Sequence, residues 1–155
     1  MDKEFFMYEA LQEAQKAYKK KEVPIGAVVV YNNKIICSGY NRRTKSQRAT
    51  AHAEILAIEQ ACKKLKSWRL SGASIFVTLE PCPMCLGAIL NARIDNLYFG
   101  AYEQKGRSLT DLIVSTNLLN HTTNVEGGVL LQECSQILST FFKEVREQKK
   151  LLKND

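Results

Sequence analysis

Two short segments of the chain contain residue types that can bind a metal ion and move a proton. The first contains His52 and Glu54 at the start of an amphipathic stretch. The second contains Cys82 and Cys85 at the start of an apolar stretch. One imidazole and two thiolates are good zinc ligands, and a catalytic zinc site keeps three protein ligands with a fourth position open for water. Cysteines three positions apart in a helical turn lie about 60° apart around its axis, so both can bind one ion.

The spacing of His52 and Glu54 favours different roles for the two residues. Side chains two positions apart in a regular helix point about 200° apart, so they cannot both be ligands on one helical face. If His52 stands at the very start of the helix, its imidazole reaches the ion while the carboxylate of Glu54 approaches the bound water from another side. Zinc lowers the pKa of that water to about 7, and a nearby carboxylate can accept and return the proton. The pattern predicts a metal-dependent hydrolase.

The remaining cysteines leave a structural zinc site open as an alternative. The chain has five cysteines, an odd number, and no visible export signal, which argues against a disulfide framework. Cys37, Cys62 or Cys134 could supply a fourth ligand and close the site. The last two lie on apolar stripes, where a free cysteine behaves as a small apolar residue. We therefore predict that these three cysteines are inert.

Hydrophobic periodicity indicates which elements position the metal ligands. Apolar residues recur at helical spacing over residues 2–20, and residues 25–31 and 34–40 are strand-like segments joined by two asparagines, which predicts a hairpin. Residues 41–50 are predicted to form a polar loop. The elements predicted beyond it are a helix including residues 55–65, a strand at 74–79, a helix at 81–91, a strand at 96–100, helical turns at 108–114 and a long helix from residue 129. Helices alternating with strands predict a three-layer α/β sandwich that opens with an antiparallel hairpin.

The overall composition is typical of one globular domain. The chain has 155 residues, of which 45% are hydrophobic and 25% are charged, so a single domain over residues 1–155 is predicted. No uncharged apolar run approaches the roughly 20 residues of a membrane-spanning helix, so we expect no membrane association. Residues 1–4 have mixed charge and are not followed by the apolar segment of a secretory signal. A cytoplasmic location is expected.

Positive charge is clustered in two parts of the chain. The net charge is +6, and four cations within residues 42–48 have no acidic neighbour in that segment. A second basic run, diluted by two glutamates, occupies residues 143–153. Clustered cations indicate a polyanionic partner, with a solvated charged loop as the alternative interpretation.

The two metal-binding segments together resemble a known signature. His-Ala-Glu followed by Pro-Cys-x-x-Cys is similar to the motif of the zinc nucleobase deaminases. The chain resembles the cytidine deaminase superfamily and, within it, the bacterial tRNA-specific adenosine deaminases, which convert the wobble adenosine of a tRNA anticodon to inosine. The likeness extends from the first helix almost to the last residues. It includes residues 24–30, 39–42, 50–54, 78–85, 99–100, 120–121, 127–130 and 141–143.

This resemblance implies a fold, a cofactor and a reaction. The implied fold is a three-layer α/β/α sandwich with a mixed five-stranded sheet, usually in a homodimer with sites near the subunit interface. The implied ligands of one Zn²⁺ per subunit are His52, Cys82 and Cys85. Glu54 is the implied proton shuttle while hydroxide attacks C6 of adenine and ammonia departs.

The resemblance also implies how the chain binds its substrate, a tRNA anticodon stem-loop. The side chain of Asn41 and the backbone at Ala27 and Glu80 are implied contacts of the target base. Proteins read RNA loops by placing unstacked bases in pockets, while Lys and Arg side chains hold the phosphates. The candidate contacts with the remaining RNA are Arg42, Arg43, Glu103, His121, Phe142, Lys143 and Arg146.

Two other functions are compatible with the sequence. Guanine deaminases and other small-nucleobase deaminases share the Pro-Cys-Pro-Met-Cys segment. The basic C-terminal helix and residues 120–121 and 127–130 favour tRNA, because a small-molecule enzyme has no obvious need of them. A non-catalytic, zinc-stabilised RNA-binding module would have no open coordination position and would not need Glu54. The presence of Glu54 beside the ligand His52 favours an enzyme.

Overall fold

The computed structural model describes residues 1–103, 110–117 and 119–153. Within these residues the chain alternates between helices and strands. The helices are α1 (Lys3–Lys19), α2 (Arg43–Ser46), α3 (Ala53–Leu65), α4 (Pro83–Asn91), α5 (Thr110–Ser115) and α6 (Leu131–Lys153). The strands are β1 (Gly26–Tyr31), β2 (Lys34–Tyr40), β3 (Ser74–Leu79), β4 (Asn96–Ala101) and β5 (Asn124–Glu126).

The strands form one mixed sheet in the order β2-β1-β3-β4-β5. Strand β1 is antiparallel to both β2 and β3, whereas β4 is parallel to both β3 and β5. Asn32 and Asn33 close the β1–β2 hairpin with φ angles of 50° and 62°. Two positive φ angles give the type I′ turn that matches the twist of the adjoining strands, which explains why two asparagines occupy it.

Helices cover both faces of the sheet. On one face α3 and α4 pack against the strands through a cluster that includes Ala57 and Ile89. On the other face α1 and α6 form a second cluster that includes Met7 and Ile137. This arrangement confirms the predicted three-layer α/β/α sandwich with a mixed five-stranded sheet.

The segment at residues 41–50 differs from its prediction as a loop. It contains α2, a single helical turn. The backbone N–H of Thr44 in this turn donates a hydrogen bond of 2.7 Å to the carboxylate of Glu22. The acceptor comes from outside the segment, so the local pattern of polar residues does not predict the turn.

Other boundaries shift by small amounts. Helices α4 and α6 begin at Pro83 and Leu131, two residues later than predicted. Helix α5 corresponds to the helical turns predicted at residues 108–114, while the turn predicted at Gly106 lies outside the described residues.

Among the helices that the structure describes, none has both the length and the apolar character needed to cross a bilayer.

Gly26, the first residue of β1, lies against α1 without space for a side chain. A Cβ atom there would stand 2.1 Å from the carbonyl oxygen of Ala10 and 2.5 Å from the amide nitrogen of Ala14. We expect Gly26→Ala to lower the free energy of unfolding by about 3 kcal/mol, because the backbone of α1 must move.

Gly87→Ala is the matched control for this prediction. Apart from the backbone of its own helix, no described atom lies within 4 Å of a Cβ added at Gly87 in α4. Alanine is the better helix former, so this variant should gain up to about 1 kcal/mol. Urea denaturation measures both changes, and similar stabilities for the two variants would contradict the packing argument.

Candidate active site

His52 and Cys82 each immediately precede a helix. Both residues are extended, with φ and ψ of −76° and 151° for His52 and −70° and 167° for Cys82. Cys85 follows in the first turn of α4, and Pro83 occupies the first helical position, where a missing N–H costs nothing. The amino ends of α3 and α4 therefore carry the predicted ligands, and the positive end of a helix dipole favours thiolates.

The three predicted ligands come together in space. The donor atoms of His52, Cys82 and Cys85 all lie within 4.8 Å of one another. The His52 Nδ1 atom is 3.6 Å from the Cys82 Sγ atom and 3.5 Å from the Cys85 Sγ atom. Two ligands bound tetrahedrally to one zinc ion are separated by about 3.5 Å, given ordinary Zn–N and Zn–S bond lengths. The group therefore fits a zinc ion.

Hydrogen bonds within this group change the proton affinities of its members. The hydrogen bond from Cys85, with a second from His52, lowers the pKa of Cys82 to about 4. The hydrogen bond with Cys82 raises the pKa of Cys85 and also raises the pKa of His52. A divalent cation binds thiolate and neutral imidazole, so its binding would release the protons that these residues share.

Glu54 is a buried carboxyl group beside the three donors. Its side chain lies in the first turn of α3 and is 4% exposed. The Oε1 atom has no hydrogen-bond partner among the described residues. Burial raises the pKa of Glu54 to about 7. A carboxyl group of this pKa can both accept and donate a proton near neutral pH, as the prediction for Glu54 requires.

Asn41 is another buried residue with an unused acceptor. Its Oδ1 atom has no hydrogen-bond partner within the described part of the chain. Its backbone N–H donates to the carbonyl oxygen of Ile25, which holds Asn41 at the end of β2 and close to the start of β1. Ala27 of β1 is another candidate base contact, and it is fully buried. An unused amide acceptor held by the backbone suits recognition of a base edge.

Sequence reasoning did not anticipate the role of the Glu80 side chain. The Glu80 carboxylate accepts a 3.0 Å hydrogen bond from the backbone N–H of Glu103 and a 2.7 Å hydrogen bond from the hydroxyl of Thr110. The buried carboxylate thus ties the turn that carries Cys82 to the segment after β4. A buried acid next to a metal-binding motif is the one sequence signal that could have suggested this contact.

A groove of about 660 Å³ connects the basic segment with the C-terminal helix. Its lining includes Asn41, Arg43 and Arg48 together with Phe141 and Phe142 of α6. Phe141 packs edge-on against Tyr18 with 6.0 Å between the ring centroids. Phe142 is 44% exposed. Of the two adjacent aromatic residues, one is therefore packed and the other is available to a ligand.

The structure places the remaining candidate RNA contacts in four different regions. Lys143 and Arg146 are exposed on α6, next to the groove residue Phe142. Arg42 lies over the ring of Tyr40, with its guanidinium carbon 5.5 Å from the ring centroid.

His121 lies apart from the metal group. Its Nε2 atom is 2.8 Å from the carbonyl oxygen of Ile94, beyond the carboxyl end of α4, whereas Cys82 precedes the amino end of that helix. A nine-residue helix is about 14 Å long. His121 is therefore not brought together with the metal group, whereas Glu103 is tied to the turn beside it.

Comparison with known proteins agrees with this fold and site. A family model of MafB19-like deaminases matches residues 1–146. The three-layer fold, the His-Cys-Cys group and this match define the chain as a deaminase. The tRNA-specific adenosine deaminase of Bacillus subtilis is 49% identical over 149 residues, which are 95% of this chain and 92% of the relative. The corresponding enzyme of Haemophilus influenzae is 44% identical over 153 residues, covering 97% and 88%. The chain belongs to the family of tRNA-specific adenosine deaminases.

Two solved structures show how far the likeness extends. One comes from a study of A-to-I editing by tRNA:A34 deaminases at the wobble position of transfer RNA. It matches with a TM-score of 0.80 and 42% identity over 86% of this chain and 99% of its own. Guanine deaminase from Bacillus subtilis matches with a TM-score of 0.63 and 39% identity over 66% of each chain. The predicted resemblance to the tRNA-specific adenosine deaminases is confirmed. The match to the tRNA:A34 deaminase structure covers more of both chains than the match to guanine deaminase does.

Proposed function

We propose that the chain catalyses the zinc-dependent hydrolysis of adenosine to inosine at the wobble position of a tRNA anticodon. The observation that carries this proposal is the His52, Cys82 and Cys85 donor group beside the buried carboxyl group of Glu54. Two relatives that are matched over 92% and 88% of their own length are named tRNA-specific adenosine deaminases. In the reaction, water replaces the amino group on C6 of adenine, and ammonia leaves.

Each residue of the site has a distinct task in this proposal. One Zn²⁺ per subunit would be coordinated by the side chains of His52, Cys82 and Cys85. When bound, zinc supplies Lewis acidity that makes water a nucleophile at neutral pH. Glu54 accepts one proton from the attacking water and passes it to N1 of adenine; it then accepts the second proton of that water, from the hydroxyl now on C6, and passes it to the amino group, which leaves as ammonia. Asn41, with Ala27 and the backbone of Glu80, holds the base in place for these transfers.

The groove beside Asn41 is the proposed path of the anticodon loop. Arg42, Arg43 and Arg48 supply cations for phosphates, because RNA loops are held through their backbone while bases are splayed into pockets. The exposed ring of Phe142 can stack on a base, a contact worth about 1–3 kcal/mol. Lys143 and Arg146 extend the positive charge along the next turn of α6.

Reversing two charges beside the groove tests this path. We expect Arg42→Glu/Arg43→Glu to weaken binding of an anticodon stem-loop and to make the salt dependence of binding shallower. Each lost phosphate contact should lower the slope of log K against log salt by about 0.7, the value for single strands. Fluorescence anisotropy over a salt series measures both quantities.

The matched control for this double variant is Lys63→Glu/Lys66→Glu. Both lysines are exposed at the carboxyl end of α3, opposite His52, and the substitution changes the net charge by the same amount. We expect the control to keep the salt slope of the unchanged protein. Equal losses in the two variants would show that general charge, and not this segment, holds the RNA.

A single assay separates the proposed function from its alternatives. The zinc-loaded protein is incubated with an anticodon stem-loop that has adenosine at the wobble position and, separately, with free guanine; inosine and ammonia are measured. Inosine in the stem-loop supports the proposal. Ammonia from guanine alone would identify a small-nucleobase deaminase, which the 39% likeness to guanine deaminase makes the second candidate. RNA binding without ammonia from either substrate would identify a non-catalytic module.

The proposal includes a homodimer of single-domain subunits in the cytoplasm, where tRNA is found. Met84, Leu112 and Leu119 are large apolar side chains that are exposed in the single chain. A partner subunit that covered them would remove apolar surface from water. Light scattering of the purified protein tests the dimer directly.

A further inference from the structure

Glu22 is a buried carboxylate that lies outside the group of candidate metal ligands. It contacts the basic segment at residues 42–48. Its side chain is 2% exposed. The backbone N–H of Thr44 is shared between its two oxygens, at 2.7 Å and 3.1 Å. Thr44 belongs to α2, the helical turn that follows Arg42. We propose that Glu22 is a positioning residue that fixes this turn so that Arg43 meets the RNA; the role in RNA binding rests on the proposed function.

The end of α1 determines where Glu22 lies. Lys21 is left-handed with φ of 60°, and its N–H donates to the carbonyl oxygen of Tyr18. The N–H of Glu22 donates to the carbonyl oxygen of Ala17. This pair of hydrogen bonds is the Schellman motif, and Pro24 shortly afterwards cannot continue the helix. Because α1 packs on the sheet, the backbone of Glu22 is held in one position.

Helix α2 depends on an acceptor from elsewhere in the chain. A single turn of four residues does not recover the cost of helix nucleation in water. Its N-cap residue, Arg42, has donors only and makes no capping hydrogen bond through its side chain. The amide of Thr44 is one of the N–H groups that a helix start leaves without a partner. Glu22 supplies the acceptor that Asp or Ser normally provides at the N-cap.

The same contact sets the position of the groove cations. The segment is also held at its two ends, where the N–H of Asn41 donates to Ile25 and the N–H of Arg42 donates to Ala51. Arg43 lies between these ends and lines the groove. Without the Glu22 acceptor, the turn would be free to unwind, and RNA binding would have to order it again. That ordering reduces affinity without changing the reacting groups.

Substitutions at Glu22 distinguish positioning from a general effect on folding. Deamination of an adenosine-bearing anticodon stem-loop is measured under single-turnover conditions with the zinc-loaded protein in excess. We expect Glu22→Ala to raise the protein concentration for half-maximal rate about tenfold, a change of about 1.4 kcal/mol. The limiting rate constant should change less than twofold. Glu9→Ala, which removes one acid from α1, the helix that precedes Glu22, should leave both values unchanged.

Glu22→Gln is the rescue variant, because its amide oxygen can still accept the Thr44 N–H. We expect this variant to recover most of the lost affinity. An equally large loss in Glu22→Gln would overturn the proposal in favour of a purely electrostatic effect of the charge. A fall in the limiting rate constant without a change in half-saturation would overturn it as well.

Amide hydrogen exchange tests the contact without any substrate. In Glu22→Ala the Thr44 amide should exchange at least tenfold faster, while exchange in the sheet stays unchanged. Unchanged protection of Thr44 would overturn the proposal even if the variant is less active. If the unsubstituted protein does not deaminate the stem-loop, the proposed function fails, and the exchange result still decides whether Glu22 holds α2.

Discussion

Glu54→Gln is expected to lower the rate of deamination by about 10²–10⁴-fold, the range that general acid–base catalysis contributes. The amide has nearly the same shape as the carboxyl group but cannot carry a proton between the water and the base. Glu54 lies outside the group of three donors, so the variant should keep one zinc ion per chain. Turnover of the stem-loop and zinc content by mass spectrometry are measured on the same preparation.

The control for this prediction is Glu59→Gln, an exposed acid on the same helix. It should retain full turnover and full zinc content. Normal turnover in Glu54→Gln would refute the proton-transfer role. Loss of zinc together with activity would show instead that the carboxylate is a metal ligand, which the geometry of the described donors does not predict.

Cys82→Ser is expected to remove both the metal and the activity. The hydroxyl of serine does not ionise near neutral pH, whereas Cys82 has its pKa lowered to about 4 by its hydrogen bonds with Cys85 and His52. Lewis acidity contributes several kcal/mol to a hydrolysis of this kind, so the rate should fall by at least about 10³-fold. Dialysis against a chelator followed by zinc addition should restore the unchanged protein and not the variant.

Cys37→Ser is the matched control for the loss of a sulfur atom. Cys37 is half-buried and donates to the carbonyl oxygen of Ala57 at 3.2 Å, a contact that a serine hydroxyl can also make. We expect this variant to keep its zinc and its rate. A Cys82→Ser variant that also keeps both would contradict the proposed set of ligands.

The main helices and strands were predictable because their patterns are local. The apolar stripe of α1, the paired strands of the hairpin and the stripe of α6 can each be recognised within a short window, and the boundaries agree to within about two residues. Strand β5 is different, since only Val125 among its three residues is apolar. It is a strand because it pairs with β4. Very short elements such as β5 and α2 owe their structure to their partners.

For the candidate site, too, the features that depend on local sequence were predictable, and those that depend on distant partners were not. The set of candidate metal ligands, whose donor atoms lie within 4.8 Å of one another, was predictable because His52 and Cys82 each stand directly before a helix, and a helix start can be recognised from local sequence. The contact of the Glu80 carboxylate with Thr110 was not, because it joins segments separated by helix α4, strand β4 and residues of no clear pattern. Burial of Asn41 with an unused acceptor also depends on packing between separate elements.

The amino-acid sequence by pattern alone indicates the candidate chemistry of this protein: three side chains of the types zinc prefers, an acid two residues after the first of them, and helix starts to hold them. Side-chain type and local helix geometry suffice for that conclusion. The sequence does not show that Arg43 and Phe142 line one groove, or that Glu22 supports the turn containing Arg43; both follow from the packing of the folded chain. These relations join residues that are distant in the chain, and the packing of α1 and α6 on one face of the sheet brings them together.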